Sequence, residues 1–284
     1  MTFALVLAGG GVAGVAWELG VLRGIADTDE ALADRVVGAD TIIGTSAGSV
    51  VAAQITSGKS LADLYDAQLS GYSGEIPVHI DLTTMLAGWI EAAELATDDV
   101  DRRRRIGALA LAAETIDEDT RRAAIASRLP STEWPDRDVR ITVVDALTGE
   151  LVVFTPDSGV ALPDAVGASC AVPGVWPPVT IDGRRYVDGG IRTASNADLA
   201  KGADRVLLIT PAPPELPRGW GQDLATELAE LAPARVEVVH ADQATVDAFG
   251  TNPLDPATRG PSARAGRDVG RAVAATVGAL FDRR

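Results

Sequence analysis

Ile42-Ile43-Gly44-Thr45-Ser46-Ala47-Gly48-Ser49-Val50 carries two β-branched apolar residues straight into a Gly-x-Ser-x-Gly pattern. Ser49-Val50-Val51-Ala52-Ala53-Gln54-Ile55 then continues with the small and apolar residues of a buried helix. The stretch reads as a strand, a sharp turn and a helix. A serine at such an elbow is forced into a strained backbone conformation, and the flanking glycines remove side chains that would collide around it. Its hydroxyl stands above the sheet edge, near the positive end of the following helix, where developing negative charge is favoured. Ser46 is therefore the candidate nucleophile. The pattern is short, and a chain with 29 glycines can produce it by chance, so its meaning depends on what accompanies it.

Upstream, Phe3-Ala4-Leu5-Val6-Leu7-Ala8 is a continuous apolar run of the kind expected for a strand buried on both faces of a parallel sheet. Gly9-Gly10-Gly11-Val12-Ala13-Gly14 follows, and residues 15–25 then repeat apolar side chains at helical spacing. As Gly9-x-Gly11-x-x-Gly14 the turn satisfies a dinucleotide fingerprint, but the second strand ends in Gly44-Thr45-Ser46 rather than in the acid that would bind ribose. The alternative is an oxyanion hole over Gly9, Gly10 and Gly11, with the N–H groups of Gly10 and Gly11 converging on a carbonyl oxygen as it gains charge. Close packing of helix on strand would need fewer glycines.

Farther along, Ser60 is placed to cap a helix over 61–69, residues 70–80 read as loop, and Asp81 to about Arg128 reads as successive helices. This gives one domain over 1–284 with a helical insertion at about 71–130. Within it Met85, Leu86, Trp89 and Ile90 suit core packing or a lipid-facing lid. Arg102-Arg103-Arg104-Arg105 suits a solvated helix face, or a contact with phosphate headgroups or an anionic surface. Strands return at Val139–Asp145 and Leu151–Phe154 as a hairpin. A short helix within 162–174 ends in a proline loop, and a strand ends at Asp188-Gly189-Gly190. Two more buried strands lie at 205–209 and 235–239, separated by a helical stretch near 221–232, and a closing helix occupies 263–282. The alternation is that of a three-layer α/β fold.

Composition narrows the chemistry. A net charge of −15 repels nucleic acid and anionic lipid surfaces, so no nucleic-acid partner is expected and membrane contact should be transient. Two histidines, His79 and His240, and one cysteine do not make a typical zinc site; no metal and no cofactor are expected. Cys170 reads as a small buried filler, since nothing around it implies a thiolate. With no apparent signal peptide or membrane span, a cytoplasmic location is expected.

Gly9-Gly10-Gly11-Val12-Ala13-Gly14, Gly44-Thr45-Ser46-Ala47-Gly48, Ala168-Ser169-Cys170-Ala171-Val172-Pro173 and Asp188-Gly189-Gly190 stand in one order. In that order the chain resembles the patatin-like phospholipases, whose four blocks are GGGxxG, GxSxG, ASxxxP and DG followed by G or A. The resemblance implies a three-layer α/β/α patatin-like sheet and a Ser46–Asp188 dyad in place of a triad. It implies a serine esterase of lipid degradation that hydrolyses carboxylic esters of lipids, as a phospholipase A, lysophospholipase or lipid esterase. The oligomeric state is left open. A weak base such as a carboxylate should have its pKa raised by its surroundings to serve Ser46. One departure stands out: the family commonly has Arg or Lys where this chain has Ala13. The competing readings are an α/β-hydrolase triad of Ser46, Asp188 and His240, and a non-catalytic lipid- or protein-binding module on the same fold.

Overall fold

The first strand shows why the apolar run is continuous. In β1 (Phe3–Leu7), Phe3, Leu5 and Leu7 point into one hydrophobic core while Ala4 and Val6 point into another on the opposite face of the sheet. A strand covered on both faces has no solvent side on which to place polar residues. This computed structural model describes residues 1–70, 74–78, 82–214 and 223–282.

After β1 come α1 (Gly11–Thr28), α2 (Glu30–Val37), β2 (Thr41–Thr45), α3 (Ala47–Ile55) and α4 (Leu61–Leu69). Three helices follow, α5 (Leu82–Glu94), α6 (Asp99–Ala112) and α7 (Glu118–Ser127). The chain then enters β3 (Asp138–Asp145), β4 (Leu151–Phe154), α8 (Leu162–Ser169), β5 (Val179–Ile181) and β6 (Arg184–Asp188). It closes with β7 (Arg205–Thr210), α9 (Leu224–Ala229), β8 (Arg235–His240), α10 (Gln243–Phe249) and α11 (Arg259–Ala279). Aspartate or serine caps many of these helices; Ser60 Oγ accepts from the Asp63 N–H at 3.1 Å, as its place before 61–69 predicts.

The eight strands form one sheet in the order β5-β6-β3-β2-β1-β7-β8, with β4 also paired to β3. β1, β2, β3, β7 and β8 run parallel, and β4 and β6 run antiparallel to β3. Helices cover both faces: residues of α1, α2, α3, α8 and α11 join the first core, and Leu224 and Leu228 of α9 pack against the second. The architecture is thus a three-layer α/β/α sandwich. α5 and α6 pack at one end of the sheet, where Trp89, Ile106 and Ala110 meet Val144 and Val187.

The register explains how distant segments converge. β4 occupies one edge of β3 from Ile141 to Val144. β2 pairs with β3 up to Thr142, and β6 pairs with it from Val143 onward. Each edge of a strand admits one neighbour at a given residue, so β2 and β6 share the other edge and meet end to end. Their C-terminal ends, Thr45-Ser46 and Asp188, face each other across the junction.

Glycines in the serine elbow allow α3 to lie back on the sheet. A Cβ on Gly48 would sit 2.0 Å from the Leu7 carbonyl oxygen, backbone that cannot move aside. Gly48→Ala is therefore expected to destabilise the fold by about 3 kcal/mol, read as a fall in Tm of roughly 5–10 °C.

Candidate active site

Ser46 lies between β2 and α3 with φ 52° and ψ −116°, a left-handed conformation that L-residues adopt only when their surroundings enforce it. The enforcement is visible. The Ser46 N–H donates to Ser169 Oγ at 2.9 Å, and Ser169 Oγ donates to the Thr142 carbonyl at 2.8 Å. The Ser46 carbonyl accepts from Ser49 Oγ at 2.7 Å and from Cys170 Sγ at 3.3 Å. The last residue of α8 and the one after it thus clamp both sides of the elbow. Burial pushes the Cys170 thiol up to about 11, so it stays protonated and can donate. Ser169→Ala would leave a buried N–H and a buried carbonyl without partners. It should lower the unfolding free energy by about 1–3 kcal/mol, and any turnover that depends on Ser46 by about tenfold. Thermal melts and steady-state rates check this.

Asp188 closes β6 and is 4% exposed. Its N–H donates to the Ala171 carbonyl at 3.0 Å, and its Oδ1 accepts from the Gly190 N–H at 2.7 Å. Burial raises its pKa to about 7, while hydrogen bonds from the Ser46 side chain and the Gly190 N–H hold the rise back. Gly189 follows because a Cβ there would fall 2.5 Å from Thr142 Oγ1 and 2.6 Å from its carbonyl oxygen. Asn196, fully buried, ties the junction together: its amide donates to Thr45 Oγ1 at 3.0 Å, Thr142 Oγ1 at 3.3 Å and the Gly189 carbonyl at 3.4 Å.

The glycine turn passes directly beside Ser46. A Cβ on Gly9 would lie 3.4 Å from Ser46 Cβ, and the Gly9 N–H donates to the Ala194 carbonyl at 2.8 Å. Gly9 therefore gives room, and its N–H is already engaged. The N–H groups of Gly10 and Gly11 make no hydrogen bond among the described residues. Gly11 has φ 67°, and a side chain there would strike Leu254 and the Pro253 carbonyl. Gly11, Ser46, Trp176, Arg121, Arg128 and Leu254 line a cavity of about 20 Å³. That volume holds about one water.

The sequence model of the group described as "Patatin-like phospholipase" matches residues 5–201. The chain belongs to the patatin-like phospholipase family. Among solved structures, it is similar to VipD from Legionella pneumophila at 12% identity, covering 97% of this chain and 66% of that one, with a TM-score of 0.47. It is similar to the type III effector protein ExoU at 16% identity, covering 100% of this chain and 54% of that one, with a TM-score of 0.45. The chain thus spans less than two thirds of the length of either structure. No curated protein matches it.

In this patatin-like chain, position 13 offers no positive charge. Ala13 is fully buried and its N–H donates to the Pro253 carbonyl at 2.9 Å. His240 ends β8, three strands from β2 and about 14 Å across the sheet. Its Nδ1 lies 3.3 Å from the Ala212 carbonyl, so the structure does not bring it to Ser46 as a triad requires. His79 lies outside the described residues. The arginine run is not a uniformly solvated face: Arg102 and Arg103 are buried, with Arg103 Nε donating to the Gly149 carbonyl at 2.6 Å. Arg102 pairs with Asp99, and Arg104 and Arg105 pair with Asp101. Of the apolar α5 residues, Trp89 is core and Ile90 is 38% exposed. Asn196, Arg121, Arg128 and Glu75 carried no motif and were not legible in the sequence.

Proposed function

We propose that this chain is a serine acyl hydrolase that cleaves carboxylic esters of lipids through a Ser46–Asp188 dyad. The observation that carries the reading is the end-to-end meeting of β2 and β6, which sets the Ser46 hydroxyl against a buried carboxyl whose pKa is about 7. A carboxyl in that range is ionised for part of the time at neutral pH and is a far better base than an exposed aspartate.

Asp188 takes the Ser46 proton as Oγ attacks the ester carbonyl carbon. The carbonyl oxygen becomes an oxyanion held by the N–H groups of Gly10 and Gly11, beside the N-terminal end of α3. When the tetrahedral intermediate collapses, the C–O bond to the alcohol breaks and Asp188 returns the proton to the leaving oxygen. The acyl group remains on Ser46. Water then enters, gives its proton to Asp188 and attacks the acyl carbon; the fatty acid leaves and Ser46 regains its proton. No cofactor or metal takes part in these steps. The domain doing this work is the whole of 1–284, with about 71–130 as a helical insertion. Membrane contact is transient and location cytoplasmic; no helix among the described residues is long and apolar enough to cross a membrane.

The test is pre-steady-state hydrolysis of a chromogenic acyl ester, followed by a screen of phospholipids, lysophospholipids and acylglycerols. A burst of alcohol equal to the enzyme concentration, then slower turnover, is expected from an acyl-enzyme. Folded protein that hydrolyses none of these esters would point instead to a binding module.

A further inference from the structure

Arg121 is 3% exposed, yet its Nε and Nη1 have no hydrogen-bond partner among the described residues. Its guanidinium lies 3.6 Å from the centroid of the Trp176 ring, and both residues line the cavity that contains Ser46. A buried guanidinium without hydrogen-bonded partners is costly, and a stacked one is held in a fixed plane with its donors ready for an oxyanion. Its neighbours do not neutralise it. Arg128, in the same cavity, is already paired with Glu75. Glu75 is the carboxylate whose charge acts on Arg121, and it is shared with Arg128. Cys170 stays neutral, and the remaining acid of the site is Asp188, the proposed base. Burial first, and Arg128 second, lower the Arg121 pKa to about 9, which leaves it cationic at neutral pH. In a chain of net charge −15, this is a local excess of positive charge beside the nucleophile.

We infer that Arg121 binds a phosphate or carboxylate group carried by the substrate, so that the enzyme prefers acyl esters with an anionic group close to the scissile bond. This rests on the hydrolase reading above. A bidentate, charge-assisted contact to such an oxyanion would satisfy the orphaned donors and fix the ester relative to Ser46. With Ala13 supplying no charge, Arg121 is the cation in the Ser46 cavity that has no carboxylate hydrogen-bonded to it among the described residues.

The experiment compares kcat/KM for a monoacylglycerol, the same monoacylglycerol phosphate and the matching acylglycerate, in wild type, Arg121→Gln, Arg121→Lys and Arg122→Gln. The expected result is an anionic-to-neutral ratio that falls at least tenfold in Arg121→Gln, is largely kept in Arg121→Lys and is unchanged in Arg122→Gln, whose exposed side chain pairs with Asp164. Inorganic phosphate should inhibit the anionic ester competitively in wild type and raise its Tm, and do neither in Arg121→Gln. A ratio within twofold of wild type in folded Arg121→Gln overturns the inference. So does acceleration of neutral-ester hydrolysis by inorganic phosphate, which would make free phosphate the ligand. Fluorophosphonate labelling of Ser46 separates the two readings: labelling with no anion preference sinks only this inference. Without labelling the hydrolase reading fails, and a phosphate-dependent Tm shift absent in Arg121→Gln would show an anion site without ester turnover.

Discussion

Asp188→Asn is expected to abolish ester turnover and, at pH 8, to make the protein more stable than wild type by up to about 4 kcal/mol. The folded-state pKa of about 7 stands above the ordinary 3.8, and each tenfold step in proton affinity is worth about 1.4 kcal/mol. A carboxyl whose pKa rises on folding contributes its stability fully below the unfolded value, where it is protonated in both states. That contribution is lost as pH rises through the folded value. Wild type should therefore lose stability relative to Asp188→Asn between about pH 4 and pH 8, and lose little more above it. The asparagine keeps an oxygen for the Gly190 N–H, so the comparison isolates the charge. Activity runs the other way: turnover should climb with pH and reach half its plateau near pH 7, because only the carboxylate accepts the Ser46 proton. Urea melts and a pH–rate profile check the two halves. A wild-type stability curve parallel to that of the variant would contradict the buried-base assignment.

Ser46→Ala and Ser46→Gly should each lower kcat/KM by about ten-thousand-fold or more, the scale seen when a covalent nucleophile is removed. They should differ in stability. At φ 52° and ψ −116° a Cβ is strained, at a cost on the order of 1–3 kcal/mol, and glycine relieves this while alanine does not. Ser46→Gly is expected to unfold at a higher denaturant concentration than Ser46→Ala despite the greater freedom of its unfolded chain. Equal midpoints would mean that the elbow stores no strain.

Much of this arrangement was legible in the sequence because its signals are local. The Ile42–Val50 stretch states its strand, turn and helix within nine residues, and the apolar run at 3–8 is of the kind a strand covered on both faces carries. Asp188 was legible as an acid at a strand end before two glycines, but its role as a base and the need for a raised pKa came only with the family resemblance. The short strand β5 passed unnoticed: Val179-Thr180-Ile181 is too brief to show a period, although Asp182-Gly183 behind it is a turn signal. The clamp on the elbow was harder to see. Ser169 stood out only as part of a family block and Cys170 read as a small filler, yet both make hydrogen bonds to Ser46, more than a hundred positions away. Arg121 carried no signal, because an arginine beside Arg122 on a charged helix reads as solvent-facing until the Trp176 ring and the Ser46 cavity are seen beside it.

The most direct measurement is labelling with a fluorophosphonate, with the adduct mapped by peptide mass spectrometry in wild type, Asp188→Asn and His240→Ala. The expected adduct is on Ser46 in wild type and in His240→Ala, and is missing or greatly slowed in folded Asp188→Asn. An adduct on another residue, loss of labelling in folded His240→Ala, or folded wild type that takes no label would contradict the Ser46–Asp188 dyad.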